Sequence, residues 1–503
     1  MPANLPLYST EQARARDRDA QLALGLSEFE LMQRAGTAAW RELLQHWPHA
    51  QRIGIACGPG NNGGDGSVLA TLARAAGRNI VVLQLAGDGP RDDTARQALA
   101  GLEGDGGEVR VFDGHLPAVD LWVDALFGIG LARAPEGDAQ RLIEAINNAG
   151  VDIFALDVPS GVDADTGNVP GDAIRATRTL TFIVDKRGLH TGAALDRVGV
   201  LRIDPLGVAD AATVAVASAA RLVSAEALRT WLPPRKLDSN KGSYGHLLCI
   251  GGDHGTGGAV ALTSEAALRT GAGLVSVATR AEHVAMLLAR RPELMVRGVE
   301  ARAGVELADF NALCNSASVL AIGPGLGKGA WGRAMLAAAL AANKPLVVDA
   351  DALNLIADSP RPLRDAIMTP HPGEAGRLLG ITAAQVQSDR YAAAHKLGVQ
   401  YDCCVVLKGA GTVIAAPGQV PVVIASGNPG MATAGMGDVL TGVVGALRAQ
   451  LLPAFDAAIC GALLHGLAGD AAAKRGGQRG LIASDLFRQL RRLANPGGCA
   501  QCG

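Results

Sequence analysis

Short apolar runs rich in β-branched residues recur along the chain, each separated from the next by a stretch of helical length and many of them followed by clustered glycines. In the first part these runs are 52–56 (RIGIA), 79–83 (NIVVL), 121–124 (LWVD), 153–157 (IFALD) and 179–183 (TLTFI). Strands that alternate with helices feed a parallel sheet, because a parallel pair needs a long crossover and the helix supplies it. The expected fold class is therefore α/β, with a Rossmann-like doubly wound domain first. Two helices precede it, at about 9–23 and 27–45, and Ser27 with Glu30 three residues on has the form of a helix cap.

An Ala/Val-rich connector at 209–218 interrupts the alternation, which resumes after about Arg221. Further strands are expected at 246–250, 274–278, 319–322, 346–349, 366–369 and 404–408. Two α/β domains, 1–220 and 221–503, follow from this, with no evident repeat relating them.

Lys and Arg number 46 against 48 Asp and Glu, a balance that gives no reason to expect a nucleic acid or other polyanion as partner. Small-molecule substrates and further copies of the same chain, as a homo-oligomer, are the expected partners. The first residues lack the apolar core of a signal peptide, and the longest uncharged stretch, 412–437, is broken by prolines and glycines. A cytoplasmic protein without a membrane partner is expected. The 8 cysteines are scattered, and several lie in apolar strands where buried thiols are common, so no disulfide framework is expected. The Cys499/Cys502 pair reads as part of a disordered tail.

Residues 57–66 read CGPGNNGGDG. A P-loop would end in Gly-Lys-Ser/Thr, and here Asp65-Gly66-Ser67 stands in that place, so no cation meets terminal phosphates. The dinucleotide fingerprint is matched only weakly. In a parallel sheet, ligands bind outside the carboxyl ends of the strands, where three polar clusters fall: 61–65 (NNGGD), 124–133 (DALFGIGLAR) and 157–163 (DVPSGVD). Asn62, Asp124 and Ser160 offer an all-oxygen set that suits a hard cation. The loop from Gly128 to Ala134 suits close approach to a phosphate, with Arg133 as its charge partner. The plain alternative is that each glycine only makes a turn and each aspartate only caps a helix.

NNGGDG, DALFGIGLAR and LDVPSGVDADTG resemble the motifs of the YjeF N-terminal family, the NAD(P)H-hydrate epimerases, and LMQRAG resembles that family's MERAG helix, with Gln33 in place of the usual glutamate. The resemblance covers about residues 8–210. It implies K⁺ held at Asn62, Asp124 and Ser160. It also implies a hydrated dinucleotide held by Asn61, Asn62, Gly63, Gly64, Asp65, by Gly128, Ile129, Gly130, Leu131, Ala132, Arg133, Ala134, and by Asp157. Asp157 is the expected acid/base.

In the second part, 428–442 (NPGMATAGMGDVLTG) puts a Gly-x-Gly-Asp turn directly before an apolar helix. Backbone N–H groups there would make an anion hole with Asp438 beside it as a base, the pairing phosphoryl transfer needs. A simple helix cap is the alternative. His371 stands between two prolines at a strand end, which favours a ligand contact over a core position. Lys408-Gly-Ala-Gly-Thr412 ends another strand, and Asp351 and Glu374 could orient Mg²⁺ through water or simply be solvated.

LDSNKGSYG, GAGLVSV, GPGLG, VVDADALN, TPHPGE, VLKGAGTVI and AGMGDVLTG together resemble the ribokinase-like YjeF C-terminal family, the ADP-dependent NAD(P)H-hydrate dehydratases, over about 222–492. The resemblance implies that Ala259, Gly325, His371 and Asp438 contact the hydrated nucleotide. It places Lys408, Gly409, Ala410, Gly411, Thr412 and Gly437 on the adenine nucleotide, with ADP as co-substrate and Mg²⁺ accompanying it. Ala434 replaces the first glycine of the family's GGxGD. Two other readings stay open from sequence: a small-molecule kinase of ribokinase type, and a first domain that binds dinucleotides without turnover.

Overall fold

The computed structural model describes residues 4–87, 89–130, 133–208, 217–300 and 308–497. They form two compact units, one spanning Pro6–Ala220 and the other Arg221 onward together with Asn4 and Leu5.

The first unit is built on a seven-stranded sheet, in the spatial order Glu108–Val111, Asn79–Gln84, Arg52–Cys57, Leu121–Ala125, Asp152–Leu156, Arg178–Phe182, Val200–Asp204. Every neighbouring pair is parallel. The chain runs from Arg52–Cys57 outward to one edge, then returns to start Leu121–Ala125 on the other side. Winding therefore reverses between these two strands, and a crevice opens past their carboxyl ends. Helix Glu28–His46 buries Leu31, Ala35 and Leu43 against Ile53, Ile55 and Phe154 on one sheet face, and helix Asp138–Asn147 buries Leu142 and Ile143 near Trp122 on the other. Burial of a side chain such as Phe154 stabilises by about 1.5–3 kcal/mol. The helix at Glu28 opens with the expected box: Ser27 Oγ accepts from Glu30 N at 3.2 Å and Glu30 Oε2 accepts from Ser27 N at 2.8 Å.

The second unit has an eleven-stranded sheet in which His246–Ile250 lies between Leu274–Thr279 and Val319–Ile322, so the winding reverses there as well. Strands from Met295–Gly298 across to Cys404–Leu407 are parallel, after which Thr412–Ala415 turns back antiparallel and Val422–Ile424, antiparallel to it, resumes the original direction. Ala220–Val223 and Asn4–Leu7 complete the far edge. Helices Met436–Ala449 and Ala454–Gly476 cover the core with Val439, Val443, Leu447, Ile459 and Leu463.

Every strand read from sequence is present. Those missed include the edge strands Glu108–Val111, Val200–Asp204 and Met295–Gly298, which are largely exposed and so carry no continuous apolar run. The six described cysteines are free and buried. Cys499 and Cys502 lie outside the described residues. Among the described residues no helix is long and apolar enough to cross a membrane.

Candidate active sites

The first unit's crevice has a volume of about 1190 Å³, larger than the roughly 300–1,000 Å³ of ordinary small-molecule pockets. Helix Asn61–Ala75 begins at once after the Cys57–Gly60 turn, so most of the NNGGDG motif is helix rather than loop. Asn61, Asn62 and Asp65 line the crevice, whereas Gly63 and Gly64 are buried beneath it. Their smallness is structural: a Cβ on Gly63 would lie 1.9 Å from the Gly58 carbonyl oxygen, and one on Gly58 1.8 Å from that of Leu126. Backbone contact at this spacing admits only glycine.

Gly128, Ile129, Gly130, Arg133 and Ala134 form a second wall. Leu131 and Ala132 lie outside the described residues. Asp124 and Ser160, 0% and 1% exposed, sit at adjacent strand ends and are tied together. Ser160 donates from N at 2.8 Å and from Oγ at 2.6 Å to the Asp124 carboxylate, while Phe127 N donates to Ser160 Oγ at 2.8 Å. Burial pushes Asp124 up to about 6 against the lowering effect of these bonds. Asn62 touches the same loop, its Cβ standing 3.4 Å from where a Gly128 Cβ would be. Among the described residues, both polar atoms of its amide are buried without a hydrogen-bond partner. A buried amide in that state is costly unless something else meets it. The oxygens of Asn62, Asp124 and Ser160 fit a hard cation in chemistry.

Asp157 follows its strand with φ of 62°, a left-handed conformation that costs a non-glycine residue about 1–3 kcal/mol. Its carboxylate accepts from Lys186 Nζ at 2.6 Å and from Thr181 Oγ1 at 3.2 Å. Lys186, 3% exposed, also donates to Thr181 Oγ1 and to the Phe182 carbonyl. Asp65 is pushed well above the usual carboxylate range by burial, and then by the charges of Asp157 and Asp17.

In the second unit, helix Met436–Ala449 starts at Gly435, whose φ is 88°. A Cβ there would be 2.5 Å from Leu262 Cδ1, so the turn needs glycine on both counts. No side chain caps this helix start, which leaves its first N–H groups available to an anion. Asp438 stands in the first turn and is lifted to about 6 by burial and by Asp349, with Lys408 acting in the opposite direction. Lys408 Nζ lies 2.7 Å from Asp349 Oδ1 and 3.2 Å from a Cβ position on Gly437. Burial alone would raise Asp349, yet Lys408 and the Thr441 hydroxyl, 2.8 Å from Oδ2, hold it below the carboxylate range. Strand end, loop and helix start are thus locked around one ammonium.

His371 caps helix Pro372–Leu379, its Nδ1 accepting from Gly373 N at 3.0 Å and Glu374 N at 3.2 Å. Burial and the Lys408 charge hold its pKa low, Glu374 opposing. With Nδ1 an acceptor, the neutral ring carries its proton on Nε2, which stands 3.4 Å from Glu374 Oε1 on a half-exposed side chain. Glu374 completes the cap by accepting from His371 N, and Asp351 accepts from Gly327 N at 2.9 Å. Both carboxylates therefore tie backbone. Among the described residues, no group of three or more His, Cys, Asp or Glu is arranged to hold a metal.

Gly325 and Ala259 flank the switch point. Thr256 Oγ1 donates to the Gly325 carbonyl at 2.8 Å, and Thr263 Oγ1 donates to the carbonyls of both Ala259 and Asp438. The Lys408–Thr412 loop rests on Arg390, a fully buried guanidinium that donates to the carbonyls of Leu407, Lys408 and Gly411. Ala410 is part of the same turn, and Gly409 has φ of 137°.

Sequence reading overlooked Lys186, Thr441 and Arg390. Lys186 follows the strand Arg178–Phe182 and could have been found as a lone lysine at a strand's carboxyl end; Thr441 and Arg390 lie inside helices and carry no local signal.

Comparison with known proteins matches residues 28–188 to the YjeF-related protein N-terminus and residues 247–492 to NAD(P)H-hydrate dehydratase. The bifunctional NAD(P)H-hydrate repair enzyme Nnr of Coxiella burnetii is 47% identical, over 97% of this chain and 99% of its own. That of Escherichia coli strain K12 is 45% identical, over 98% and 95%. A ribokinase-like superfamily protein of Enterococcus faecalis superposes with a TM-score of 0.52 at 30% identity, covering 56% of this chain and 98% of its own. With near full-length identity on this scale, the chain belongs to the family of bifunctional NAD(P)H-hydrate repair enzymes.

Proposed function

We propose that the second unit dehydrates the S epimer of NAD(P)H hydrate at the expense of ADP, and that the first interconverts the R and S epimers so that both can be repaired. The observation that carries this reading is Asp438: a carboxyl with a pKa near 6, at an uncapped helix start and beside the Lys408 ammonium.

The hydrate bears a hydroxyl on C6, and hydroxide leaves poorly. Asp438 takes the hydroxyl proton, and the oxygen attacks the β-phosphorus of ADP, with AMP as leaving group. The helix-start N–H groups and Lys408 neutralise the moving phosphoryl charge. The C6–O bond then breaks with loss of phosphate as the ring nitrogen's lone pair forms a C6=N bond, and loss of a C5 proton gives NAD(P)H. In this reading His371 would contact the hydrated nucleotide through Nε2–H, and the Arg390-braced loop 408–412 would hold the adenine nucleotide. Mg²⁺ would come with the nucleotide's phosphates, where it neutralises charge, as it commonly does in place of an all-protein cage.

In the first unit, Asn62, Asp124 and Ser160 would hold K⁺, the buried amide of Asn62 being the group otherwise unmet. The 61–65 and 128–134 segments would flank the dinucleotide, and Asp157 with Lys186 would exchange protons with the oxygen leaving and returning at C6. Self-association and a cytoplasmic setting belong to the same reading.

The test is the return of NADH absorbance from a mixed-epimer hydrate preparation, given ADP, Mg²⁺ and K⁺. Full return at an enzymatic rate is expected. A stable phosphorylated product in place of free phosphate would replace this reading with a kinase.

A further inference from the structure

Helix Thr10–Leu24 contributes nothing to the site as read from sequence. Its residues Arg14, Asp17, Arg18 and Gln21 have the spacing of a single helical face, and all four line the first unit's crevice. Arg14 Nη2 comes within 3.8 Å of a Cβ position on Gly130, so this face reaches the 128–130 wall.

Asp17 lies at the centre of the face, inside the electrostatic reach of Lys186, Asp157, Arg18 and Arg14, and Asp65 feels it in turn. Lys186 has three N–H donors, and all are placed, on Asp157, Thr181 and the Phe182 carbonyl. The ammonium is thus bonded to Asp157 and has no donor left for Asp17 or Asp65. Burial lifts Asp17 to about 6, the nearby cations pulling the other way. The crevice also holds the unmet amide of Asn62, which marks it as a place where a ligand completes the bonding.

Inversion at a carbinolamine carbon makes a double demand on such a site. A departing hydroxyl must gain a proton, and the water that returns to the opposite ring face must lose one. A single carboxylate held by Lys186 cannot stand on both sides.

We propose that Asp17 is a second acid–base residue of the epimerisation, working in concert with Asp157; this rests on the epimerase reading of the first unit. In one direction the C6–O bond breaks, the Asp17 proton leaves with the oxygen as water, and the ring nitrogen's lone pair forms C6=N. Water then adds to the other face, its proton passes to Asp157, and the C6=N pair returns to nitrogen. One proton has moved from Asp17 to Asp157, and exchange with solvent restores both. Nothing is oxidised or reduced.

The experiment supplies the pure R hydrate to the full-length protein with K⁺ and without ADP, and follows the appearance of S by chromatography. For Asp17→Asn, kcat should fall about 100-fold with KM changed less than about threefold, and one limb of the pH–rate profile should vanish. Asp17→Glu should recover part of the rate with that limb displaced. Dehydration of S hydrate with ADP should be unchanged in both variants, and thermal melting compared with the wild type reports folding of the first unit. An Asp17→Asn rate within about threefold of the wild type would overturn the proposal, as would a loss confined to KM with the pH profile intact. If the asparagine variant fails to fold, Asp17→Glu decides: an undisplaced profile overturns the proposal. A wild-type protein that leaves R hydrate untouched would remove the epimerase reading itself, an outcome distinct from an active wild type with an equally active Asp17→Asn.

Discussion

The two units place their polar residues at the same topological feature, a reversal of winding in a parallel sheet, yet they solve the electrostatics differently. In the second unit the charges around Asp438 are already answered: Lys408 is bonded to Asp349, Asp349 to Thr441, and the loop beneath to Arg390. In the first, the groups are left open. Among the described residues the Asn62 amide has no hydrogen-bond partner, and Lys186 bonds Asp157 while Asp17 and Asp65 feel its charge without a bond to it. Phosphoryl transfer is served by a rigid field aimed at a moving charge, and reversible proton exchange by groups whose protonation is finely balanced.

The largest effect expected from this contrast is that of Asp438→Asn, which should lower NADH formation from S hydrate by about 10²–10⁴-fold. Nucleotide binding by calorimetry and R-to-S conversion should both survive. Loss of both activities together would break the separation between the sites. Asp157→Ala should do the converse, slowing R-to-S conversion by about 100-fold or more while S-hydrate dehydration is retained; an unchanged conversion rate removes Asp157 from the chemistry.

The pH dependence sharpens the comparison. A base with a pKa of about 6 is protonated, and idle, below that value. With S hydrate, kcat/KM should therefore be flat above about pH 7 and fall tenfold per unit well below 6, and the falling limb should be absent in Asp438→Asn. With K⁺ held as proposed at Asn62, Asp124 and Ser160, its replacement by a larger cation should slow epimerisation by about 10-fold and leave dehydration alone, on the scale of changes around a metal site. The smallest effect on chemistry belongs to Arg390→Met: three loop carbonyls lose a buried donor, costing about 2 kcal/mol or more of stability, and KM for ADP should rise with kcat little changed.

Much of this was legible in sequence, for reasons that also explain what was not. Central strands such as Ile53–Ile55 and Val347–Val348 are buried on both faces and read as continuous apolar runs; the edge strand Glu108–Val111 is bathed in solvent and reads as nothing. Gly435 and Asp438 announce themselves because a glycine-rich turn and an acid meet at a helix start. His371 shows the limit. Its proline neighbours marked it as special, but its first task is a helix cap that only the backbone geometry reveals. The glycines of CGPGNNGGDG were legible as a motif and not as a mechanism, since Gly63 and Gly64 serve backbone contact and a buried fit while Asn62 and Asp65 face the crevice. Asp17 and Lys186 could not be paired from sequence, standing far apart in the chain and meeting only through the fold.

The strand Asn4–Leu7 precedes every other described element, yet it sits at the edge of the second unit's sheet beside Ala220–Val223. During synthesis this strand leaves the ribosome with no partner and must wait until the entire first unit has been made. An exposed strand edge invites wrong pairing for as long as it waits. Ordering of residues 4–7 is thus a late event, and expression of 220–503 alone would leave the edge at Ala220–Val223 uncovered.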